Sequence, residues 1–185
     1  MLPTGWAWPA YDRLQLEDYD WLTGGRVMGK VTGGAGADSY HVDRSDVTIV
    51  DVTGGVDRVY ASVDFRLSER VEQLILSGSS GLAGYGNAQS NLITGDSGDD
   101  TLRGLGGDDA LNGGDGDNRV LGGFGQDTLT GGDGDDLLDG GAGNDVIRAG
   151  YGSDRLVGGA GFDLLSFELI AAPGGVIGKG RGNKR

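Results

Sequence analysis

The chain has 185 residues, among them 40 Gly, 3 Pro and no Cys, and its 28 acids against 15 bases leave a formal charge of −13. The lack of cysteine excludes disulfide frameworks and Cys-ligated zinc or iron–sulfur sites, and a single histidine, His41, excludes His-rich metal sites and two-His catalysis. No apolar run approaches the ~18 residues of a membrane span, and the acidic balance argues against a nucleic-acid partner, whose phosphates need a basic face.

Residues 1–32 carry Trp6, Trp8 and Trp21 with Tyr11 and Tyr19, and read as an aromatic cap or a linker, with a carbohydrate-contacting patch as the alternative. Residues 1–10 have neither the basic start nor the long apolar core of a Sec signal. Residues 24–32, GGRVMGKVT, come close to a phosphate-binding loop, but Val31 stands where Ser or Thr would hold Mg²⁺, and the glycines that follow break any helix. Residues 33–41 read GGAGADSYH, a tight turn with Asp38 sixth, Tyr40 eighth and His41 ninth; Asp38 is either a turn residue or a ligand without an adjacent partner in sequence. Residues 42–50 and 56–76 are expected as strands, the second alternating Val59, Ala61, Val63, Phe65 and Leu67.

From residue 95 the chain repeats every nine residues: GDSGDDTLR, GLGGDDALN, GGDGDNRVL, GGFGQDTLT, GGDGDDLLD, GGAGNDVIR, AGYGSDRLV and GGAGFDLLS. GNAQSNLIT at 86–94 is a degenerate unit before them, with Asn91 sixth and Ile93 eighth. Position 4 is Gly in all eight units, position 6 is Asp in seven and Asn118 in one, and position 8 is always Leu, Ile or Val. Residues 95–166 hold 15 Asp, no Glu, no Lys and 4 Arg, so this stretch alone carries −11. Asp without Glu marks turns, where a short carboxylate reaches nearby backbone or a metal.

Glycine in the first half of the unit permits a tight turn. Positions 7–9 make a short strand whose position 8 points inward, since side chains alternate. One such strand has no stability alone; stacked units share a ladder. Two units make one coil of a parallel solenoid, with Leu102, Val120, Leu138 and Leu156 in one sheet and Leu111, Leu129, Ile147 and Leu165 in the other. The same stacking builds two columns, Asp100–Asn118–Asp136–Asp154 and Asp109–Asp127–Asp145–Asp163. At the ~4.8 Å strand spacing, neighbouring unit charges repel by roughly 0.9 kcal/mol even in water. Such a fold calls for cations between its rungs. Carboxylates and turn carbonyls are hard oxygen donors that suit Ca²⁺ better than Mg²⁺, which demands a tighter octahedron.

Eight unbroken GGxGxDxUx units resemble the RTX (repeat-in-toxin), haemolysin-type calcium-binding family, and the likeness runs from residue 33 to about 167, including the GVDRVYASVDFRL, VEQLILSG and GYGNAQSNLITG segments. The resemblance implies an all-β fold, a parallel β-roll or right-handed solenoid, with several Ca²⁺ ions held between units n and n+2. The metal residues it implies are Asp100, Asp109, Asn118, Asp127, Asp136, Asp145, Asp154 and Asp163. Four pairs are Asp/Asp (Asp109/Asp127, Asp127/Asp145, Asp136/Asp154, Asp145/Asp163), and the two that use Asn118 lose a charge and are expected to bind more weakly. Asp96, Leu105 and Ala149 stand where the family has Gly. The resemblance further implies folding after export into calcium-rich surroundings, a secreted or extracellular location, and type I secretion machinery as a partner.

The expected division is an N-terminal cap or linker at 1–32, irregular strands and degenerate repeats at 33–94, the regular roll at 95–166 and a basic flexible tail at 167–185, which does not look like the family's export signal. No HExxH or GxSxG signature is present. The chain therefore reads as a calcium-binding roll and not an enzyme. The alternative is an accessory module or fragment of a secreted protease, lipase or epimerase, or of a surface adhesin contacting an extracellular polysaccharide.

Overall fold

The computed structural model describes residues 13–15, 21–22, 29–33, 36–51 and 54–167. These form strands and turns with no helix among them. In chain order the strands are β1 (Arg13–Gln15), β2 (Trp21–Leu22), β3 (Gly29–Thr32), β4 (Ser39–Val42), β5 (Val47–Val50), β6 (Arg58–Ala61), β7 (Phe65–Arg66), β8 (Gln73–Leu76) and β9 (Ala83–Tyr85). They continue as β10 (Leu92–Thr94), β11 (Thr101–Gly106), β12 (Ala110–Asp115), β13 (Arg119–Phe124), β14 (Thr128–Asp133), β15 (Leu137–Ala142), β16 (Val146–Tyr151), β17 (Arg155–Ala160) and β18 (Leu164–Ser166). All even-numbered strands join one nine-stranded sheet, and the odd ones form a three-stranded sheet, β1-β3-β5, and a six-stranded sheet, β7 to β17. Every pairing is parallel, always between strands two apart, which is the signature of a two-sided solenoid. The fold is an all-β parallel β-roll.

In the regular array each register step is 18 residues, two units: Leu102 pairs Val120 and Val120 pairs Leu138, while Leu111 pairs Leu129 and Leu129 pairs Ile147. Both position-8 rows are inward as the nine-residue period predicts. Ile93, Leu102, Val120, Leu129, Leu138 and Ile147 are fully buried, and Leu156 and Leu165 of the last coil are partly so. Strands of the array run six residues, from position 7 through position 3 of the next unit, and not only over positions 7–9. The glycines at positions 1 and 2 thus belong to the strands, and the pairing continues through them, as at Gly114–Gly132 and Gly123–Gly141.

Residues 56–76 form three strands and not one long strand. After Ala61 the chain bends at 62–64 and crosses to the other side as β7, then returns as β8. The apolar alternation survives the corner: Val59, Ala61, Phe65 and Leu67 are buried and Val63 packs against them. Coils here differ in length. Arg58 follows Ser39 by 19 residues, Gln73 follows Arg58 by 15, and Leu92 follows Gln73 by 19. The strands of 1–32 enter the same ladders, β1 pairing β3 and β2 pairing β4. Trp6, Trp8, Tyr11, Tyr19 and the tail from 168 onward lie outside the described residues. No described helix is long and apolar enough to cross a membrane.

Candidate metal centre

Position 6 sits where the turn meets the strand, so its side chain falls inside the corner. Asp100, Asp109, Asn118, Asp127, Asp136 and Asp145 are all at most 2% exposed. One side-chain oxygen of each has a fixed role, because Oδ1 accepts the backbone N–H of a residue one coil earlier. Asp109 N–H donates to Asp127 (2.9 Å), Asp127 N–H to Asp145 (2.9 Å) and Asp145 N–H to Asp163 (3.1 Å). In the other column Leu82 N–H donates to Asp100 (2.7 Å), Asp100 N–H to Asn118 Oδ1 (2.9 Å), Asn118 N–H to Asp136 (2.8 Å) and Asp136 N–H to Asp154 (3.0 Å). The two expected columns are therefore in place, with carboxylates doubling as clamps between coils.

The second oxygen is left over. Oδ2 of Asp109, Asp127, Asp136 and Asp145 is buried and has no hydrogen-bond partner. An orphaned buried carboxylate oxygen is costly. Each faces the position-1 residue of its own unit and a main-chain carbonyl of the next coil. A Cβ built on Gly104 would meet Asp109 Oδ2 and Gly122 O; on Gly122, Asp127 Oδ2 and Gly140 O; on Gly131, Asp136 Oδ2 and Ala149 O; on Gly140, Asp145 Oδ2 and Gly158 O. A carboxylate and a carbonyl thus converge on a cradle that only glycine leaves open. That donor set is the hard-oxygen set Ca²⁺ takes, so the residues present fit the metal.

The remaining expected ligands differ in detail. Asp100 Oδ2 lines the cradle of Gly95 with Gly113 O, but it also accepts Asp96 N–H at 3.2 Å. At Asn118 the amide turns its Oδ1 to Asp100 N–H, so Nδ2 takes the place of the second oxygen and donates to Gly116 O at 2.9 Å. A donor stands there where a cation would need an acceptor. Asp154 and Asp163 clamp the coil before them, and at Gly158 the three atoms nearest a built Cβ all belong to Asp163. Ala149, the position-1 alanine, occurs in this last coil.

Burial drives the titration of these acids. It pushes Asp109 up to about 7, against the opposing Asn91 N–H, with the charges of Asp127 and Asp108 adding to the rise. Burial likewise lifts Asp127 and Asp136 to about 6, with the charges of Asp145 and Asp154 respectively contributing, and raises Asp145.

Two features lie beyond the sequence reading. A second clamp runs the other way from position 5: Asp117 N–H donates to Asp99, Gln126 N–H to Asp108, Asp135 N–H to Asp117 and Ser153 N–H to Asp135, at 2.7–2.9 Å. Short polar side chains at position 5 were the signal that could have shown it. In the irregular part Asp38, Asp51 and Asp57, each at most 5% exposed, bring carboxylate oxygens within 4.8 Å of one another. Asp38 N–H donates to Asp57 Oδ1 at 2.7 Å and Asp57 N–H to Glu72 at 2.9 Å. Tyr40 donates to Asp38 at 3.5 Å, and burial, with Asp38 and Asp57 beside it, holds its hydroxyl well above the usual phenol range. His41 stacks on Tyr60 with centroids 4.7 Å apart, a strand residue of the outer sheet face.

Fold and cradles together define the class: a repeat solenoid whose turns present regularly spaced carboxylate–carbonyl sites. Residues 85–165 match the RTX calcium-binding nonapeptide repeat in four overlapping copies, at 85–120, 94–129, 112–147 and 130–165. That stretch therefore carries RTX calcium-binding nonapeptide repeats. Residues 1–44 are similar to the TIM barrel of the non-contractile tail sheath protein. A (β/α)₈ barrel takes about 250 residues, and the described part of this segment consists of strands paired into the roll. No curated protein and no solved structure matches the chain.

Proposed function

We propose that the chain is a non-enzymatic calcium-binding roll that completes its folding when Ca²⁺ enters the turn cradles. The observation that carries this is the set of four buried, unpartnered Oδ2 atoms at Asp109, Asp127, Asp136 and Asp145, each facing a carbonyl of the next coil. A site that needs two stacked coils does not exist in the unfolded chain, so binding free energy becomes folding free energy. Those four cradles are the strong ones. Asp100 is weaker because a backbone N–H already occupies its second oxygen, and Asn118 acts as a clamp for its neighbour. Asp154 and Asp163 serve the coil before them.

This coupling suits export. In a low-calcium cytosol the columns repel and the chain stays loose enough for a type I secretion channel; outside, the ion closes the roll. Circular dichroism of the full chain should change from coil to β on adding millimolar Ca²⁺, and not on adding equal Mg²⁺. A complete β spectrum in excess chelator would overturn the proposal. Asp127→Ala removes one cradle oxygen and the clamp on Asp109, so it should raise the calcium midpoint more than Asp100→Ala.

A second reading makes the roll an accessory module of a larger extracellular protein, an enzyme or an adhesin. The likeness of residues 1–44 to a barrel segment of a tail sheath protein favours it. A longer polypeptide purified from the native source, carrying this sequence and a second folded domain, would establish that reading; a source protein of this length alone would refute it.

A further inference from the structure

Acid and base are segregated in the roll. Of the 15 Asp in residues 95–166, all but Asp139 fall at positions 2–6 of their units, the turn half. The arginines fall on the strands. Register places Arg66 beside Tyr85 and Tyr85 beside Arg103 along one outward row of the six-stranded sheet. The adjacent outward row holds Arg119 and, two strands on, Arg155. All four arginines are exposed. The Arg103 guanidinium lies over the Tyr85 ring, 5.9 Å from its centroid. None of the four makes an ion pair; among the described residues the one ion pair is Arg44–Asp46, elsewhere on the surface.

Unpaired cations on a molecule of −13 are not needed for solubility, which the acids already supply. Nor do they hold the sheet, whose strands are joined by backbone ladders. Asp139 is the one acid on the strands of these rows, and Asp64, just before β7, is engaged by the Ala83 N–H at 2.8 Å. The face is a cationic strip running along the solenoid axis, with an acidic turn on each margin.

We propose that the outer face of the six-stranded sheet is a docking strip for a linear carboxylated polysaccharide, lying along the solenoid axis with its carboxylates taken by Arg66, Arg103, Arg119 and Arg155. The planar guanidinium fork matches a carboxylate in bidentate fashion. Charge spacing selects the polymer. From β7 to β17 there are five strand steps, about 24 Å at ~4.8 Å each, so successive arginines average about 8 Å apart. A polysaccharide with one carboxylate per one or two rings has charges that sparse. Duplex DNA carries one per ~1.7 Å of axis, and most of its phosphates would face the acidic margins unmatched.

The test uses the full chain in millimolar Ca²⁺, with hyaluronan fragments as the probe. Carboxyl-reduced hyaluronan, duplex DNA and anionic lipid vesicles are the comparison ligands, and binding is measured by titration calorimetry. Hyaluronan should bind, weaken with added salt, and bind about tenfold or more weakly to R103Q/R119Q. R148Q, on the opposite sheet, should leave affinity unchanged, and R103K/R119K should fall between because charge remains and the fork is lost. Circular dichroism checks that each variant folds. Protection of Arg103 and Arg119 from phenylglyoxal by bound hyaluronan, read on the unmutated protein, needs no variant at all. Equal affinity for the carboxyl-reduced polymer, tighter binding to DNA or vesicles, or no protection of these arginines would overturn the proposal.

Discussion

Within one nonapeptide, the two oxygens of the position-6 carboxylate have different work. Oδ1 ties its coil to the previous one through a backbone N–H, and Oδ2 waits in the cradle beside the position-1 glycine. That division explains why glycine is needed at position 1 even though its backbone is not left-handed there: a side chain would run into Oδ2 and the carbonyl of the next coil. Gly140→Ala places a methyl against Asp145 Oδ2 and Gly158 O. It should abolish one calcium per chain by equilibrium dialysis and raise the folding midpoint, while unchanged stoichiometry would show that the cradle is not the site. Position 2 has the other requirement, a left-handed backbone, as at Gly132 (φ 121°), and Leu105 adopts it at φ 81° despite its side chain. The strain of a left-handed non-glycine residue, roughly 1–2 kcal/mol, is borne in the second unit without loss of register.

Strands in this protein are held by what lies two strands away. Each contributes one inward aliphatic residue per coil, and the column stacks these so that every central member is covered above and below. Leu129 is fully buried between Leu111 and Ile147. Leu129→Ala should cost about 2–5 kcal/mol of stability, measured by urea unfolding in saturating calcium. The same change at Leu165, partly buried in the last coil, should cost clearly less. Strand identity in the array was legible because a constant 18-residue coil keeps every residue type in one phase. Between residues 39 and 92 the steps are 19, 15 and 19 residues. No fixed period survives there, and a run such as 56–76 looks like one strand when it turns two corners. The apolar alternation was read correctly in that run; the corners were not, because a bend at 62–64 carries no glycine or proline.

At the scale of the whole molecule, charge decides the conditions under which the roll is stable. Asp109 titrates near 7 and Asp127 and Asp136 near 6, above the ordinary carboxylate value, because burial penalises their charged forms. A pKa raised in the folded state means the folded roll holds protons more tightly than the unfolded chain. Its stabilising contribution is complete below about 4 and is lost as pH rises through about 6–7. In chelator, therefore, the chain should gain partial β content on acidification from about pH 8 to about pH 5, read by circular dichroism. An ion entering the proposed cradles must displace those protons, so the calcium midpoint should rise on acidification over the same window. A chelator-treated protein whose β content instead climbs with pH would show that these carboxylates are not buried together.

The nine-residue period by itself determined the solenoid, the two inward aliphatic rows and the two carboxylate columns, because a strict repeat leaves each residue type one place to stand. Only the tertiary structure decided which oxygen of each Asp is spent on the backbone and which is left over. It also decided that Asn118 presents a nitrogen, that Asp51 and Asp57 meet Asp38, and that four scattered arginines share one face. Those outcomes depend on where coils of unequal length turn and on which atoms a neighbouring coil brings near, and neither is written in any single unit.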